Sequence, residues 1–384
     1  MARRRAAGET GENQTMAGRM AGILGRMLLV LTVSALVLAG MHLTIQFPRV
    51  SQRTVAITLN VFKLKTDHAS RMLLNHDGSP YDLGGGFPWQ NRILVPALLA
   101  TADAVLPDWH ADFTRHKLRS AYAGLIALGV LLACCSLWAW GCWYWLHAGG
   151  DGNLTLRAGG ITLLFGGMLL VLATLGGPRW IVANDYYEIA GFGLALILVL
   201  ERRWDWLLPI VLLLSLVRES SLFIGIIYAA VHGGLTPGRR WSPAAATHGL
   251  YLIAAAAIPV LAVRAYYLGG LRYALGMEMA QESYAVAVQH NLMLFATQSH
   301  WLLATHAFLG LLLLASAASW GGLPASGRRL ILAGWGLMAL TTALGMYPET
   351  RIFFPVMAVL LAPAVTGMLL QGCRWWLTLS ARMR

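Results

Sequence analysis

The sequence predicts an all-α, polytopic transmembrane bundle of about ten spans, with a short hairpin at its centre. Three observations predict it. Of 384 residues, 57% are hydrophobic and only 12% charged, and long apolar runs recur from Leu28 to Leu370. Lipid offers no partner to backbone N–H and C=O groups, so such runs cross as helices, and the short alternating segments of a membrane barrel are absent. Finally, charged clusters stand against or inside the runs: Asn184-Asp185-Tyr186-Tyr187-Glu188, Arg218-Glu219-Ser220 and Pro348-Glu349-Thr350-Arg351. A charge at membrane depth is costly and usually faces protein or a wet cavity. Three clusters in one chain point to one buried polar site, if all three lie on the same side.

The elements follow from the N-terminus. Residues 1–21 carry Arg3, Arg4, Arg5 and Arg19 and form a basic cytoplasmic tail by the rule that positive flanks stay inside. The first span, 22–46, reaches Phe47; it is long enough to serve as an uncleaved anchor and not only as a signal peptide. A polar outer loop covers 47–118. Within it, 92–106 is apolar, yet Asp103, Pro107, Asp108, Trp109 and Asp112 crowd it, so a helix lying in the interface is expected. Further spans are expected over 119–146, 157–177 and 187–200.

The apolar stretch 207–231 has Arg218-Glu219 at its centre. Arg202 and Arg203 precede it and Arg239 and Arg240 follow it. Positive residues at both ends predict that both ends are cytoplasmic, and hence two short helices meeting near Arg218. Each half would extend roughly 16 to 20 Å, so the turn would be buried in protein or line a cavity. Spans 246–267, 299–318, 330–346 and 352–371 complete the membrane region of 22–371, and 372–384 is a second cytoplasmic tail. In this threading every short basic loop is inside and all three charged clusters face outward.

The net charge of +12 is dispersed over loops and termini, which fits topology and anionic lipid better than a nucleic-acid surface. Cys134, Cys135 and Cys142 lie in an apolar run and Cys373 follows the last span; they read as small buried residues without metal spacing or disulfide pattern.

The first outer loop contains Asp67, His68, His76, Asp82, the Gly84-Gly85-Gly86 run and then Gln90-Asn91-Arg92-Ile93-Leu94-Val95-Pro96. The triple glycine is not a phosphate loop, since it lacks the Lys-Ser/Thr ending. An acidic residue in this loop, the Gln-x-Arg-x-Leu-x-Pro stretch (Gln90, Arg92, Leu94, Pro96), the Arg218-Glu219-Ser220 hairpin and the Glu349-x-Arg351 turn occur in one order. Together they resemble the bacterial integral-membrane glycosyltransferases of the GT-C superfamily, over roughly residues 60 to 365. The resemblance implies a polyprenyl-phosphate sugar donor, a glycan, lipid or protein acceptor, a site at the outer face of a bacterial inner membrane, and an acidic loop residue as general base. Asp67 is the first candidate and Asp82 the second. No Asp-x-Asp or Glu-x-Asp stands in the loop, so no divalent metal or other cofactor is indicated.

Such a transfer needs a base for the acceptor hydroxyl and cations for the departing phosphate, a task suited to arginine. Gln90, Arg92, Asp185, Glu188, Arg218, Glu219, Glu349 and Arg351 are the candidate substrate ligands. Structural roles compete: Arg218–Glu219 and Glu349–Arg351 as helix-tying ion pairs, Asp185 as the cap of a helix starting at Tyr186, Asp67 and Asp82 as turn residues. A transporter or lipid flippase is the alternative function, since intramembrane charge and a broken helix also suit a transport site; a polysaccharide polymerase using lipid-linked substrate is a further one.

Overall fold

The computed structural model describes residues 16–45, 94–105, 113–175, 183–233, 242–268, 289, 293, 303–344 and 350–382. Among them there are eleven α-helices and no strand. They are α1 (Met16–Ile45), α2 (Leu94–Val105), α3 (Phe113–His147), α4 (Thr155–Leu175), α5 (Ala183–Glu201), α6 (Trp204–Val217), α7 (Leu222–Gly233), α8 (Pro243–Leu268), α9 (Leu303–Ser319), α10 (Ala325–Leu344) and α11 (Phe354–Arg382). Seven contain stretches long and apolar enough to cross a membrane: Gly22–Gly40, Ala121–His147, Gly152–Ala173, Ala183–Glu201, Pro243–Ala262, Leu303–Gly322 and Phe354–Arg382. The protein is therefore an all-α, multi-pass bundle. The expected interface segment is α2, whose twelve residues extend about 18 Å, less than a bilayer core. Its inner face is Val95 and Leu99, one turn apart and buried.

The bundle is organised around α11. Every residue from Phe354 to Gly367 is buried, so this helix meets protein on all sides. A helix apolar all round belongs at a core. Trp140 of α3 ties to it, its indole N–H donating to the Ala358 carbonyl at 3.0 Å. Glycines allow other helices to approach closely. A Cβ on Gly225 of α7 would stand 2.4 Å from the Gly249 carbonyl of α8. Exposed leucines and isoleucines on α1, α6, α8 and α9 face outward, as lipid-facing surfaces do.

The sequence around 201–222 builds two short helices. Helix α5 ends with Arg202 in the left-handed region at φ 57°, and the Arg203 amide reaches back to the Leu198 carbonyl at 3.0 Å. That is a Schellman-type stop, with arginine where glycine is usual. Helix α6 runs to Val217, Arg218 is extended at φ −163° and ψ 149°, and a single 3₁₀ turn (Glu219–Ser221) leads into α7. The chain then doubles back. The Trp204 ring, at the start of α6, lies 5.1 Å from the Tyr228 ring of α7, and Arg202 Nε donates to His232 Nδ1 at 3.3 Å. The expected hairpin is present, and its open end lies beside the end of α5.

Three boundaries differ from the sequence expectation. Helix α5 begins at Ala183 and not near residue 187, because Asn184, Asp185 and Glu188 face helices and not water. Asp185 is therefore inside the first turn and does not cap a helix at Tyr186. Helix α11 continues to Arg382 through the expected tail, carrying exposed Trp375, Trp376 and Leu377 beyond the bundle. Finally, α10 is a helix of twenty residues that is not among the seven candidate spans.

Candidate functional site

Helix register brings the first two charged clusters together. The fourteen residues of α6 match the fourteen from Glu188 to Glu201 on antiparallel α5, so Arg218 arrives level with Glu188. Its guanidinium Nη1 donates to Asp185 Oδ1 and to Glu188 Oε2, both at 2.8 Å. Asp185 and Glu188, three apart, share one face of α5. The Ser220 hydroxyl donates to the other oxygen of Glu188. All three charges are enclosed: Asp185 and Glu188 are 1% exposed and Arg218 7%.

The extended backbone at Arg218 has a clear effect. It ends α6 and turns the side chain toward α5, while its own amide still bonds to the Leu214 carbonyl at 2.8 Å. Both carboxylate bonds use Nη1, leaving Nε and Nη2 without a bond to any described residue. An arginine so held keeps a free edge of the planar fork that matches phosphate and carboxylate.

The third cluster reaches the same end of the bundle. The turn Thr350–Phe353 leads into α11, and the Phe354 ring lies 6.0 Å from the Tyr186 ring, one residue from Asp185. Tyr122 of α3 is there too, its hydroxyl accepting from the Ala183 amide at 3.4 Å. Glu349, and the candidates Asp67, Asp82, Gln90 and Arg92, lie outside the described residues, as does the side chain of Arg351. Glu219 sits in the 3₁₀ turn beside Arg218 and makes no direct bond to it; the Arg218 partners lie on α5, not on its sequence neighbour.

The opposite end of the bundle is basic and aromatic. Trp143 donates to Glu201 at 2.6 Å and stacks on His147. Arg203 pairs with exposed Asp205 at 2.8 Å. His232 Nε2 lies 2.8 Å from the Val199 carbonyl, and Arg329 Nη1 donates to the Val231 carbonyl at 2.7 Å. This last bond places a cation on the C-terminal carbonyls of α7, where the helix dipole favours one.

No protein-family model, curated protein or solved structure matches this chain.

The chemistry of the site therefore rests on its own residues. One cation is held between two buried carboxylates, with a hydroxyl on one of them. Among the described residues no three His, Cys, Asp or Glu side chains group as metal ligands. Sequence reasoning named Asp185, Glu188 and Arg218 without pairing them. It gave no role to Asn184, although that residue opens the first quoted cluster, and it missed Ser221, which directly follows the second. Both are buried, and Asn184 Oδ1 and Ser221 Oγ have no hydrogen-bond partner among the described residues.

Proposed function

We propose that the protein is a membrane glycosyltransferase that moves a sugar from a polyprenyl-phosphate donor to an acceptor hydroxyl at the outer face of the membrane. The observation that carries this reading is the enclosed Asp185–Arg218–Glu188 cluster, at the bundle end that also receives the turn before α11. The two carboxylates orient Arg218, and its uncommitted edge takes the donor phosphate as the glycosidic bond breaks, supplying fixed positive charge where negative charge develops. Arg351, in the turn before α11, is the second candidate phosphate ligand. Asp67 of the first outer loop, with Asp82 as second candidate, accepts the acceptor proton.

Orientation follows from charge. Arg202, Arg203 and Arg329 stand at the end opposite the cluster. Positive flanks stay cytoplasmic, so the cluster faces out. The seven apolar helices, the two arms of the hairpin and α10 then give ten segments of a GT-C-like bundle in a bacterial inner membrane, with both termini inside.

Donor turnover tests the mechanism. Membranes containing the protein are given short-chain polyprenyl-phosphate sugars, and release of free polyprenyl phosphate is followed. Asp67→Asn is expected to abolish release while the folded protein persists. Activity in Asp67→Asn with loss in Asp82→Asn moves the base to Asp82, and activity in both refutes the mechanism. The second reading, a transporter, draws on the extended break at Arg218 between two short helices. Donor-independent movement of a solute across vesicles, abolished by Arg218→Ala, would favour it.

A further inference from the structure

The cluster has two neighbours with unmet hydrogen-bonding capacity. Asn184 is 2% exposed and Ser221 is 1% exposed, and neither Asn184 Oδ1 nor Ser221 Oγ has a partner among the described residues. Both belong to the site by position. Asn184 lies four residues before Glu188 on α5, one turn away on the same helical face. Ser221 closes the 3₁₀ turn that starts at Arg218, its amide donating to the Arg218 carbonyl at 3.3 Å. The bundle otherwise satisfies many of its buried hydroxyls and indoles: Ser34, Thr162, Ser319 and Trp140 all bond to carbonyls. The orphan hydroxyls of Tyr144, Thr155 and Thr366 lie elsewhere in the bundle. Among the described residues, only here do two orphans adjoin an enclosed charge cluster.

A buried acceptor without a donor lowers stability. Asn184 Oδ1 requires a donor, Ser221 Oγ takes either role, and the free edge of Arg218 requires an acceptor. Water satisfies such a set only while the site is empty. A ligand that satisfies it presents donors and acceptors on adjacent atoms, which is the character of a polyol. We infer that Asn184 and Ser221 form the subsite that binds hydroxyl groups of the transferred sugar, beside the phosphate edge of Arg218. This assignment rests on the donor reading above.

The assignment has an unusual signature. If Asn184 serves a ligand, the empty protein gains nothing from its amide, and Asn184→Leu, of similar volume, leaves the melting temperature unchanged or raises it. The same variant must lose binding. The measurement is thermal-shift and affinity titration in a sugar-free detergent, with two probes: farnesyl phosphate and farnesyl phosphoryl hexoses of gluco, galacto and manno configuration. Wild-type protein is expected to bind one hexose probe more tightly than farnesyl phosphate. Asn184→Leu is expected to lose that increment, about a 3- to 10-fold change in Kd, while its affinity for farnesyl phosphate is unchanged. Ser221→Ala, a smaller change, is expected to lose part of it and provides the test should Asn184→Leu fail to fold.

Four results overturn the assignment. Equal affinity of wild type and both variants for the preferred hexose probe makes the two side chains bystanders. A lower melting temperature for both empty variants makes them structural. Binding of farnesyl phosphate with no hexose increment in wild type leaves the phosphate site and removes the sugar subsite. Failure of both probes to bind wild type removes the donor reading itself, and the sugar subsite with it.

Discussion

Replacing Arg218 with alanine should be among the most damaging single changes in this protein. Asp185 and Glu188 are each 1% exposed and each holds one 2.8 Å bond to Arg218 Nη1. A hydrogen bond to a charged group contributes about 1.5–3 kcal/mol, and removing one partner of a buried ion pair costs about 3–5 kcal/mol. Two carboxylates share this one cation, so a loss of about 3–5 kcal/mol is expected, with Ser220 still supporting Glu188. The assay can use Cys134, which is free and fully buried. In a protein with the other three cysteines changed to alanine, its reaction with a thiol reagent reports opening of the bundle across a denaturant series. A variant without the ion pairs, Arg218→Met with Asp185→Asn and Glu188→Gln, should recover more than half of the loss, because it also removes the two carboxylates that Arg218 bonds. An Arg218→Ala protein within about 1 kcal/mol of wild type would refute the reasoning, since two buried carboxylates without a cation cannot be that cheap.

Two further predictions follow from the packing and the threading. Gly225→Ala should force α7 from α8, because its Cβ would stand 2.4 Å from the Gly249 carbonyl; a loss of about 1–3 kcal/mol in the same assay is expected, and no loss would mean that the helices pack further apart. Single cysteines at Ser79, Thr155, Ser242 and Thr350, in a protein lacking the native four, should label from outside intact cells only at 79 and 350. Labelling of 79 and 350 from opposite sides would divide the proposed site and favour transport.

Much of the bundle was legible in the sequence because apolar runs report directly on where helices form. The hairpin is the clearest case. Arg202–Arg203 and Arg239–Arg240 fix both of its ends, and only a turn near Arg218 reconciles them. The start of α5 was not legible in this way. Asn184, Asp185 and Glu188 look like a loop by composition, and only the arrival of Arg218 at their level makes them helical and enclosed. The same blindness hid the partner of Arg218. Glu219 is adjacent in sequence, but antiparallel register selects Asp185 and Glu188 as the hydrogen-bond partners of Arg218. The length of α11 was obscured by Arg374, which reads as the end of a span although the helix continues to Arg382. Orphaned atoms such as Asn184 Oδ1 have no sequence signal at all, since being unpartnered is a property of neighbours.

The enclosure of α11 has a consequence for biogenesis. Among the described helices, the one that the others surround from Phe354 to Gly367 is also the last in chain order. Until it arrives, Trp140 of α3 lacks the Ala358 carbonyl and Tyr186 of α5 lacks the Phe354 ring. Earlier helices must wait in the bilayer or beside the insertion machinery with an unfilled axis, so packing of the described bundle is completed only once residues 354–367 have been made. Chains that stop short of residue 354 lack the centre of the molecule and not its edge, and quality-control proteases would meet them as hollow intermediates.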